Sequence, residues 1–259
     1  MEVIQLHEAM VFLGRFPALA GVNLAVHTGE IIALQGANGA GKTTLLKLCA
    51  GLIPLDKGSG KVLGHDLDSE QKSIRRSVAM LGHTSGLYED LTVDENILFW
   101  AQAAGLDRAA AYDRRDDAIQ RMGIEERLRR LPVSRLSAGQ KRRTSLASLA
   151  VRRPQLWLLD EPHSGLDQEG RESVDLFIKE AVKAGATVMI ASHELDRINS
   201  LSPRVVTIAG GVVAALGREQ VQQRRLARAA RAHDRRHAAR RARARDAAED
   251  LERPPSGET

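Results

Sequence analysis

The chain has 259 residues, of which 43% are hydrophobic and only 3% aromatic, with 38 Lys and Arg against 33 Asp and Glu. This length suits one large domain or two small ones, and the scarcity of aromatic side chains argues against a surface that stacks RNA bases. The single cysteine, Cys49, excludes an internal disulfide. Because we find neither a signal peptide nor a long apolar run, we expect a soluble, cytoplasmic protein.

The N-terminal part of the chain carries strand patterns on either side of one Gly-rich turn. EVIQLH and VNLAVH alternate between apolar and polar residues and EIIALQ is almost continuously apolar, so residues 2–35 predict β-strands. The last of these strands runs into GANGAGKTT, which opens a helix. VLGHDL and SVAMLG predict two further strands.

A helical block interrupts this strand-rich pattern. From Val93 to about Val151, VDENILFWAQAAG, RAAAYDRRDDAIQRMGI and AGQKRRTSLASLAV predict three helices with no strand between them. QLWLLDE then predicts a buried strand, followed by a helix near 169–184, the strand ATVMIAS, a short helix from Glu194 and a hairpin of PRVVTIA and GVVAALG. Strands that alternate with helices predict an α/β fold with a mainly parallel sheet.

The composition changes after Gly217. Residues 218–259 hold twelve Arg, no Lys and seven acidic residues, which accounts for the whole net charge of +5. The segment is rich in Ala and Arg and has almost no large apolar side chain to bury. We therefore expect one main domain at 1–217 and a basic C-terminal extension at 218–259 that is helical or disordered.

The Gly-rich turn matches the motif G-x-x-x-x-G-K-[ST], whose backbone N–H groups surround phosphate oxygens at the start of a helix. In such a loop Lys42 reaches the β- and γ-phosphates and the Thr43 hydroxyl binds Mg²⁺. An accidental Gly-rich turn is disfavoured because the motif lies between a predicted strand and a predicted helix. The predicted phosphate-binding residues are Gly36, Ala37, Asn38, Gly39, Ala40, Gly41, Lys42, Thr43 and Thr44.

Two carboxylates end the apolar strand LWLLDEP. A solvated strand end is the alternative, but paired acids after a buried strand, in a chain with a phosphate loop, favour a catalytic use. Asp160 is predicted to hold the Mg²⁺ shell, and Glu161 to orient or deprotonate the attacking water.

These motifs, together with LSAGQ at 136–140, resemble the ATP-binding domains of the ABC transporter family. SGLD at 164–167 resembles the D-loop of that family, and ASHELD contains His193, which is similar to its switch histidine at the γ-phosphate. The resemblance covers about residues 2–217. It implies a P-loop NTPase of ABC type, with a mainly parallel core sheet, an N-terminal antiparallel β subdomain and an inserted α-helical subdomain at about 84–150.

LSAGQ carries the most specific part of this resemblance. From the residues alone it is either an anion site at a helix N-terminus or an ordinary Ser cap. The resemblance implies nucleotide contacts from Ser137, Gly139 and Gln140 and from Asp167 of the D-loop. It also implies a homodimer, in which each ATP lies between the phosphate loop of one chain and the LSAGQ segment of its partner.

The sequence departs from the family pattern at two places. Ala138 stands where the family more commonly has Gly, which adds one methyl group beside the phosphate. Leu13 occupies the place of the adenine-stacking aromatic residue, with Phe12 and Phe16 as neighbours that could substitute. The residue that stacks on adenine is therefore left open.

His83 falls where most of the family has a glutamine beside the metal. A neutral imidazole can bond a metal-bound water as an amide does, so we group His83 with Thr43 and Asp160 as metal-site residues. The alternative is a strand-end histidine with no ligand. LGH, combined with LSAGQ and the nearby Arg142 and Arg143, also resembles the CcmA subfamily, the ATP-binding subunits of haem exporters in cytochrome c biogenesis.

We therefore expect an ATPase, with ATP and Mg²⁺ as cofactors and with Glu161, His193 and Lys42 as catalytic residues. The expected partners are a second nucleotide-binding subunit and an integral-membrane permease, which places the chain peripherally on the inner face of the cell membrane. Haem or small-molecule export for cytochrome c biogenesis is the leading substrate hypothesis. An ABC-2-type drug, lipid or polysaccharide exporter is the runner-up.

A soluble ABC protein of ribosomes or DNA is the hypothesis from another class, with the Arg-rich segment as a nucleic-acid arm. It is disfavoured because ribosomal members carry two such ATPase domains in one chain and DNA-repair members a long coiled-coil insertion, so we expect no specific nucleic acid. For the extension itself we weigh attraction to anionic phospholipid head groups against a merely solvated arm.

Overall fold

A computed structural model describes residues 1–193 and 195–215 of the chain. Their strands are β1 (Glu2–Leu13), β2 (Phe16–His27), β3 (Ile31–Gln35), β4 (Lys57–Val62), β5 (His65–Asp66), β6 (Val78–Leu81), β7 (Leu156–Asp160), β8 (Thr187–Ala191), β9 (Arg204–Ala209) and β10 (Val212–Ala215). Their α-helices are α1 (Lys42–Cys49), α2 (Gln71–Ser77), α3 (Val93–Ala103), α4 (Arg108–Arg121), α5 (Ala138–Ala150), α6 (Gln168–Lys183) and α7 (Leu195–Ile198). Short 3₁₀ turns cover Glu126–Leu128, Val133–Arg135 and Asn199–Leu201.

The core sheet has six strands in the order β10-β9-β3-β8-β7-β6, and all neighbours pair in parallel except β10 with β9. Every residue of β7 and β8 is buried, as expected for parallel strands covered on both faces. Parallel pairing brings the carboxyl ends of β3, β6, β7 and β8 to one edge of the sheet. The residues that follow these four strands are therefore neighbours in space, and this edge positions the candidate site.

A second sheet has four antiparallel strands in the order β2-β1-β4-β5. Burial alternates along parts of β1 and β2 and changes phase where their pairing register shifts, as between Leu6 and Ala9. The buried apolar side chains of both strands join one core with those of α1 and the parallel strands. The mainly parallel core sheet and the N-terminal antiparallel sheet of the predicted fold are both confirmed.

The three helices predicted between Val93 and Val151 are confirmed as α3, α4 and α5. A capping box starts α3, in which Thr92 and Glu95 bond each other's backbone. The buried Asn96 amide bonds the backbone of Tyr88, Leu91 and Thr92. The helical block thereby holds the loop that leads into it from β6.

One local prediction is wrong, and one helix was missed. VLGHDL is not one strand, because Leu63 and Gly64 have φ of 53° and 82° and turn the chain between β4 and β5. The helix α2 immediately before β6 was not predicted, since seven residues with a single buried side chain, Ile74, give no periodicity to detect. No helix in the described part of the chain is long and apolar enough to cross a membrane. The predicted extension at 218–259 lies outside the described residues.

Candidate functional site

The Gly-rich loop at 36–41 connects β3 to α1, as the motif predicted. Gly36 has φ of 158°, and a Cβ there would lie 2.2 Å from the Ile208 carbonyl oxygen. Gly41 has φ of 108°, and a Cβ there would lie 2.7 Å from the Ala18 carbonyl oxygen. Only glycine fits at these two positions, because the backbones of β9 and β2 pass directly against the loop.

Lys42, the first residue of α1, is buried to 8% exposure inside this loop. Its ammonium group donates hydrogen bonds to the carbonyl oxygens of Gly36 at 2.8 Å and Ala37 at 2.9 Å. The middle of the loop is accessible, since Ala37, Asn38 and Gly39 are exposed, whereas Ala40 and Gly41 are buried. A positive charge therefore lies at the centre of an open ring of backbone, which suits the binding of a phosphate chain.

Three predicted metal-site residues meet at the end of β7. The Thr43 hydroxyl donates to Asp160 Oδ2 at 2.7 Å, and His83 Nε2 lies 3.6 Å from the same oxygen. Asp160 is only 2% exposed, whereas the His83 side chain is 72% exposed. Thr43 and His83 are 117 and 77 residues away from Asp160 in the sequence, and the fold brings all three into one cluster. In this cluster the Asp160 carboxylate is buried and the His83 imidazole is accessible.

Glu161 and His193 form the second cluster of this edge. Glu161 Oε1 accepts a hydrogen bond from the His193 backbone N–H at 3.1 Å and lies 3.5 Å from His193 Nε2. Glu161 has φ of 49°, a left-handed conformation that is uncommon outside glycine. Backbone strain of this kind concentrates at functional sites. It turns the carboxylate away from the buried strand and towards the loop after β8.

LSAGQ lies at the start of α5, as predicted. Ser137 Oγ accepts from the Gln140 backbone N–H at 3.3 Å, and Gln140 Oε1 accepts from the Ser137 N–H at 2.9 Å. The ordinary Ser cap is therefore present. It leaves the first two N–H groups of the helix, at Ala138 and Gly139, without intrahelical partners, so a cap and an anion site coexist here.

The D-loop packs directly against this helix start. A Cβ at Gly139 would lie 2.8 Å from the Gly165 carbonyl oxygen, so the close approach requires glycine. The Ala138 methyl group also faces Gly165, since a Cβ built at Gly165 would lie 4.0 Å from it. One cavity is lined by both segments, from Ser137 to Gln140 and from Gly165 to Asp167, and by no residue of the phosphate loop.

Asp167 closes this cavity as the N-cap of α6. Its Oδ1 accepts from the Gly170 N–H at 2.8 Å and from the Arg143 guanidinium at 2.8 Å. These two contacts, the backbone hydrogen bond first, lower the pKa of the Asp167 carboxyl below its usual value. The carboxylate is thus held in place and ionised beside the LSAGQ backbone.

The hairpin between β1 and β2 exposes three apolar side chains beside the phosphate loop. Phe12 is 37%, Leu13 57% and Phe16 78% exposed. Two residues after Phe16 in β2, the Ala18 carbonyl lies against Gly41 of the phosphate loop. All three remain candidates for the adenine contact.

Two further side chains of this site were not predicted as functional residues. The Arg142 guanidinium is buried among backbone carbonyls around Asp160 and Glu161. In the sequence, Arg142 served only as part of the resemblance to one subfamily. His163, two residues after Glu161, is 1% exposed and its Nε2 lies 2.8 Å from Asp175 Oδ1. A polar residue on the buried face of a helix or next to a catalytic motif is the signal that would have found them.

Comparison with known proteins gives consistent results. Residues 19–164 match the family model described as ABC transporter. The chain is 35% identical over 211 residues to the phospholipid-transporting ATPase ABCA7 of Homo sapiens, covering 81% of this chain and 10% of that protein. It is 34% identical over 200 residues to the daunorubicin/doxorubicin resistance ATP-binding protein DrrA of Streptomyces peucetius, covering 77% of this chain and 60% of that protein.

Among solved structures, cbiO1 from Clostridium perfringens, part of the ABC transporter complex cbiONQ, superposes with a TM-score of 0.75. The two are 28% identical, and the match covers 88% of this chain and 93% of that one. The predicted cassette-type fold is thereby confirmed. The chain spans a tenth of ABCA7 and less than two thirds of DrrA.

Proposed function

Because the chain belongs to the ABC transporter family, whose cassettes hydrolyse ATP, we propose that it is the ATP-hydrolysing subunit of a transporter with a separate membrane-embedded partner. The observation that carries this proposal is the convergence, at one sheet edge, of the phosphate loop, the Thr43–Asp160 pair and the Glu161–His193 pair. The experiment that tests it is phosphate release from ATP by the purified chain, with Lys42→Ala as the inactive control.

The phosphate loop and Lys42 bind the nucleotide in this proposal. The Lys42 ammonium group exchanges the carbonyl oxygens of Gly36 and Ala37 for β- and γ-phosphate oxygens. The N-terminus of α1 adds its positive dipole end, and the Thr44 hydroxyl adds a contact near the phosphates. Binding is thus electrostatic and uses groups that the fold has already oriented.

The residues beside the phosphate loop fit Mg²⁺. This ion prefers oxygen ligands and binds through one or two carboxylates together with phosphate oxygens and waters. Thr43 and Asp160 supply one hydroxyl and one buried carboxylate 2.7 Å apart, and both would hold the ion. When bound, Mg²⁺ neutralises charge that develops on the β- and γ-phosphate oxygens. His83 reaches this group from the open side and would bond a water of the metal shell.

Glu161 is the proposed general base, and His193 the residue that senses the γ-phosphate. The Glu161 carboxylate accepts the proton of the attacking water, for which its left-handed backbone aims it out of the sheet. Its contact with the His193 N–H keeps the two side chains at the same place. The His193 imidazole is 55% exposed and is free to approach the outermost phosphate.

The second half of each ATP site comes from another copy of the chain. The LSAGQ cavity and the phosphate loop are separate places on the described part of one chain, and each suits a phosphate. A head-to-tail homodimer supplies both to one nucleotide, with Ser137, Gly139, Gln140 and Asp167 of one copy facing the phosphate loop of the other. The nucleotide then bridges the two chains, which makes closure of the dimer dependent on ATP.

The transport partner is proposed to be an integral-membrane permease. The likeness to cbiO1, itself part of a transporter complex, supports this assignment. The chain would then lie peripherally on the inner face of the membrane. We propose that the Arg-rich extension at 218–259 adds attraction to anionic head groups there. Deletion of residues 218–259 should weaken binding of the assembled complex to anionic liposomes, and unchanged binding would contradict this role.

The relatives favour export of an amphipathic or lipid-like molecule over haem export. DrrA is a drug-resistance protein and ABCA7 a phospholipid-transporting ATPase, as their names state. Haem export for cytochrome c biogenesis, our leading hypothesis from the sequence, receives no support from these relatives. Vesicles that contain this chain and its permease should move daunorubicin or a labelled phospholipid on addition of ATP. Movement of haem alone would restore the original hypothesis.

A further inference from the structure

A side chain on the buried face of α5 forms hydrogen bonds to the backbone around the catalytic carboxylates. The Arg142 guanidinium donates to the carbonyl oxygens of Asp160 and Glu161, both at 2.5 Å, and its Nε lies 3.4 Å from that of Pro162. It also donates to the Gly82 carbonyl at 2.7 Å. We refer to these contacts as the Arg142 clamp. It joins the ends of β6 and β7 to the helix that begins with LSAGQ.

A second side chain of α5 binds the backbone on the other side of His83. Ser145 lies three residues after Arg142 and therefore on the same face of the helix. Its hydroxyl donates to the Ser85 carbonyl at 2.7 Å. Since Arg142 holds Gly82 and Ser145 holds Ser85, the segment that carries His83 is fixed to α5 at both ends.

The Arg142 clamp has a free-energy cost, because it buries a cation. Burial lowers the pKa of the Arg142 guanidinium, although the charges of Asp160 and Glu161 oppose this shift. Within the described part of the chain, Arg142 donates hydrogen bonds to carbonyl oxygens and to no carboxylate oxygen. A buried cation that bonds only carbonyl oxygens is an expensive way to join two elements, which apolar packing could join instead.

We propose that Arg142 is a positioning residue that ties the orientation of the LSAGQ helix to the position of Glu161. The inference rests on the proposed function. In the head-to-tail dimer, LSAGQ touches the nucleotide of the partner subunit, whereas Glu161 serves the nucleotide of its own chain. A shift of α5 on contact with the partner's ATP is passed to the backbone around Glu161 through the hydrogen bonds of Arg142 to the Asp160, Glu161 and Pro162 carbonyls. The two ATP sites are thereby coupled.

The test compares Arg142→Gln with Arg152→Gln. Arg152 is a matched control, because its half-buried guanidinium also bonds carbonyl oxygens, those of Arg75 and Val78, but at the opposite end of β6. Arg142→Gln should lower kcat about 100-fold, the loss typical of a misplaced reacting group. Its dissociation constant for ATP should equal that of wild type. Arg152→Gln should lower the unfolding temperature comparably and keep the wild-type kcat.

The Hill coefficient for ATP provides a readout that a purely structural role would not move. It should exceed one in wild type and fall to one in Arg142→Gln. If Arg142→Gln does not fold, Arg142→Lys keeps the charge without the planar fork and should show the same separation of kcat from affinity. Wild-type kcat in both Arg142 variants, an equal kcat loss in Arg152→Gln, or an unchanged Hill coefficient would overturn the inference. An inactive wild type would instead contradict the proposed function.

Discussion

The Thr43 hydroxyl donates a hydrogen bond to the Asp160 carboxylate at 2.7 Å, across 117 residues of sequence. This contact joins the start of α1 to the end of β7 and brings the two oxygen donors of the proposed Mg²⁺ site together. Both elements lie in the core of the protein, where neighbouring packing fixes them. The donors are therefore oriented before any nucleotide binds.

Removal of the Thr43 hydroxyl should raise the Mg²⁺ requirement of the enzyme. Thr43→Ala should increase the Mg²⁺ concentration for half-maximal ATP hydrolysis by about tenfold or more, as for loss of a metal-site partner. Thr43→Ser keeps the hydroxyl and is the matched control, with a requirement near that of wild type. The measurement is a Mg²⁺ titration of phosphate release at fixed ATP. Equal requirements in the two variants would show that the hydroxyl does not serve the metal.

His83 is predicted to act as a glutamine would at its position. It lies 3.6 Å from Asp160 and is largely exposed, so its ring can reach a metal-bound water. His83→Gln should retain ATP hydrolysis and its stimulation by the membrane partner, since an amide also bonds water. His83→Ala should lose the stimulation. ATPase assays with and without the permease make the comparison. Wild-type behaviour of both variants would show that His83 has no role in hydrolysis and only indicates the subfamily.

Asp167 should give the protein a stability that depends on pH. Its pKa in the folded chain lies below the unfolded value of about 3.9. The stabilisation is therefore fully present above about pH 4 and is lost as pH falls through the lower, folded value. Asp167→Ala should unfold at a lower urea concentration than wild type at pH 7, and the difference should narrow below about pH 4.

Asp113 of α4 offers the control for this pH dependence. It is exposed, and it forms no hydrogen bond or ion pair with the residues that the structure describes. The difference between Asp113→Ala and wild type should therefore stay constant with pH. A constant difference for Asp167→Ala as well would contradict the assigned hydrogen bonds.

The parts of the site that were predicted from the sequence are those that a local pattern encodes. The phosphate loop follows an apolar strand and opens a helix, and Asp160 ends a strand whose other four residues are apolar, so both were found without tertiary information. Their proximity also followed, because parallel strands end at one edge of a sheet.

The missed features depend on contacts that no local pattern records. Arg142 bonds carbonyl groups 18 to 60 residues away, and a backbone acceptor leaves no trace in side-chain sequence. The turn at Leu63 requires a positive φ from a residue that rarely adopts one, so VLGHDL suggested a continuous strand. The boundary at 217 and the roles of the individual site residues stay predictions.

The substitution Glu161→Gln tests the central claim most directly. The amide cannot accept the proton of the attacking water but preserves the shape of the side chain, so the variant should bind ATP and close without hydrolysis. Sedimentation velocity with Mg·ATP should show a stable dimer of Glu161→Gln and a monomer of Lys42→Ala, and phosphate release by Glu161→Gln should be nearly abolished. Steady phosphate release by Glu161→Gln at the wild-type rate, with no ATP-dependent dimer, would contradict the account.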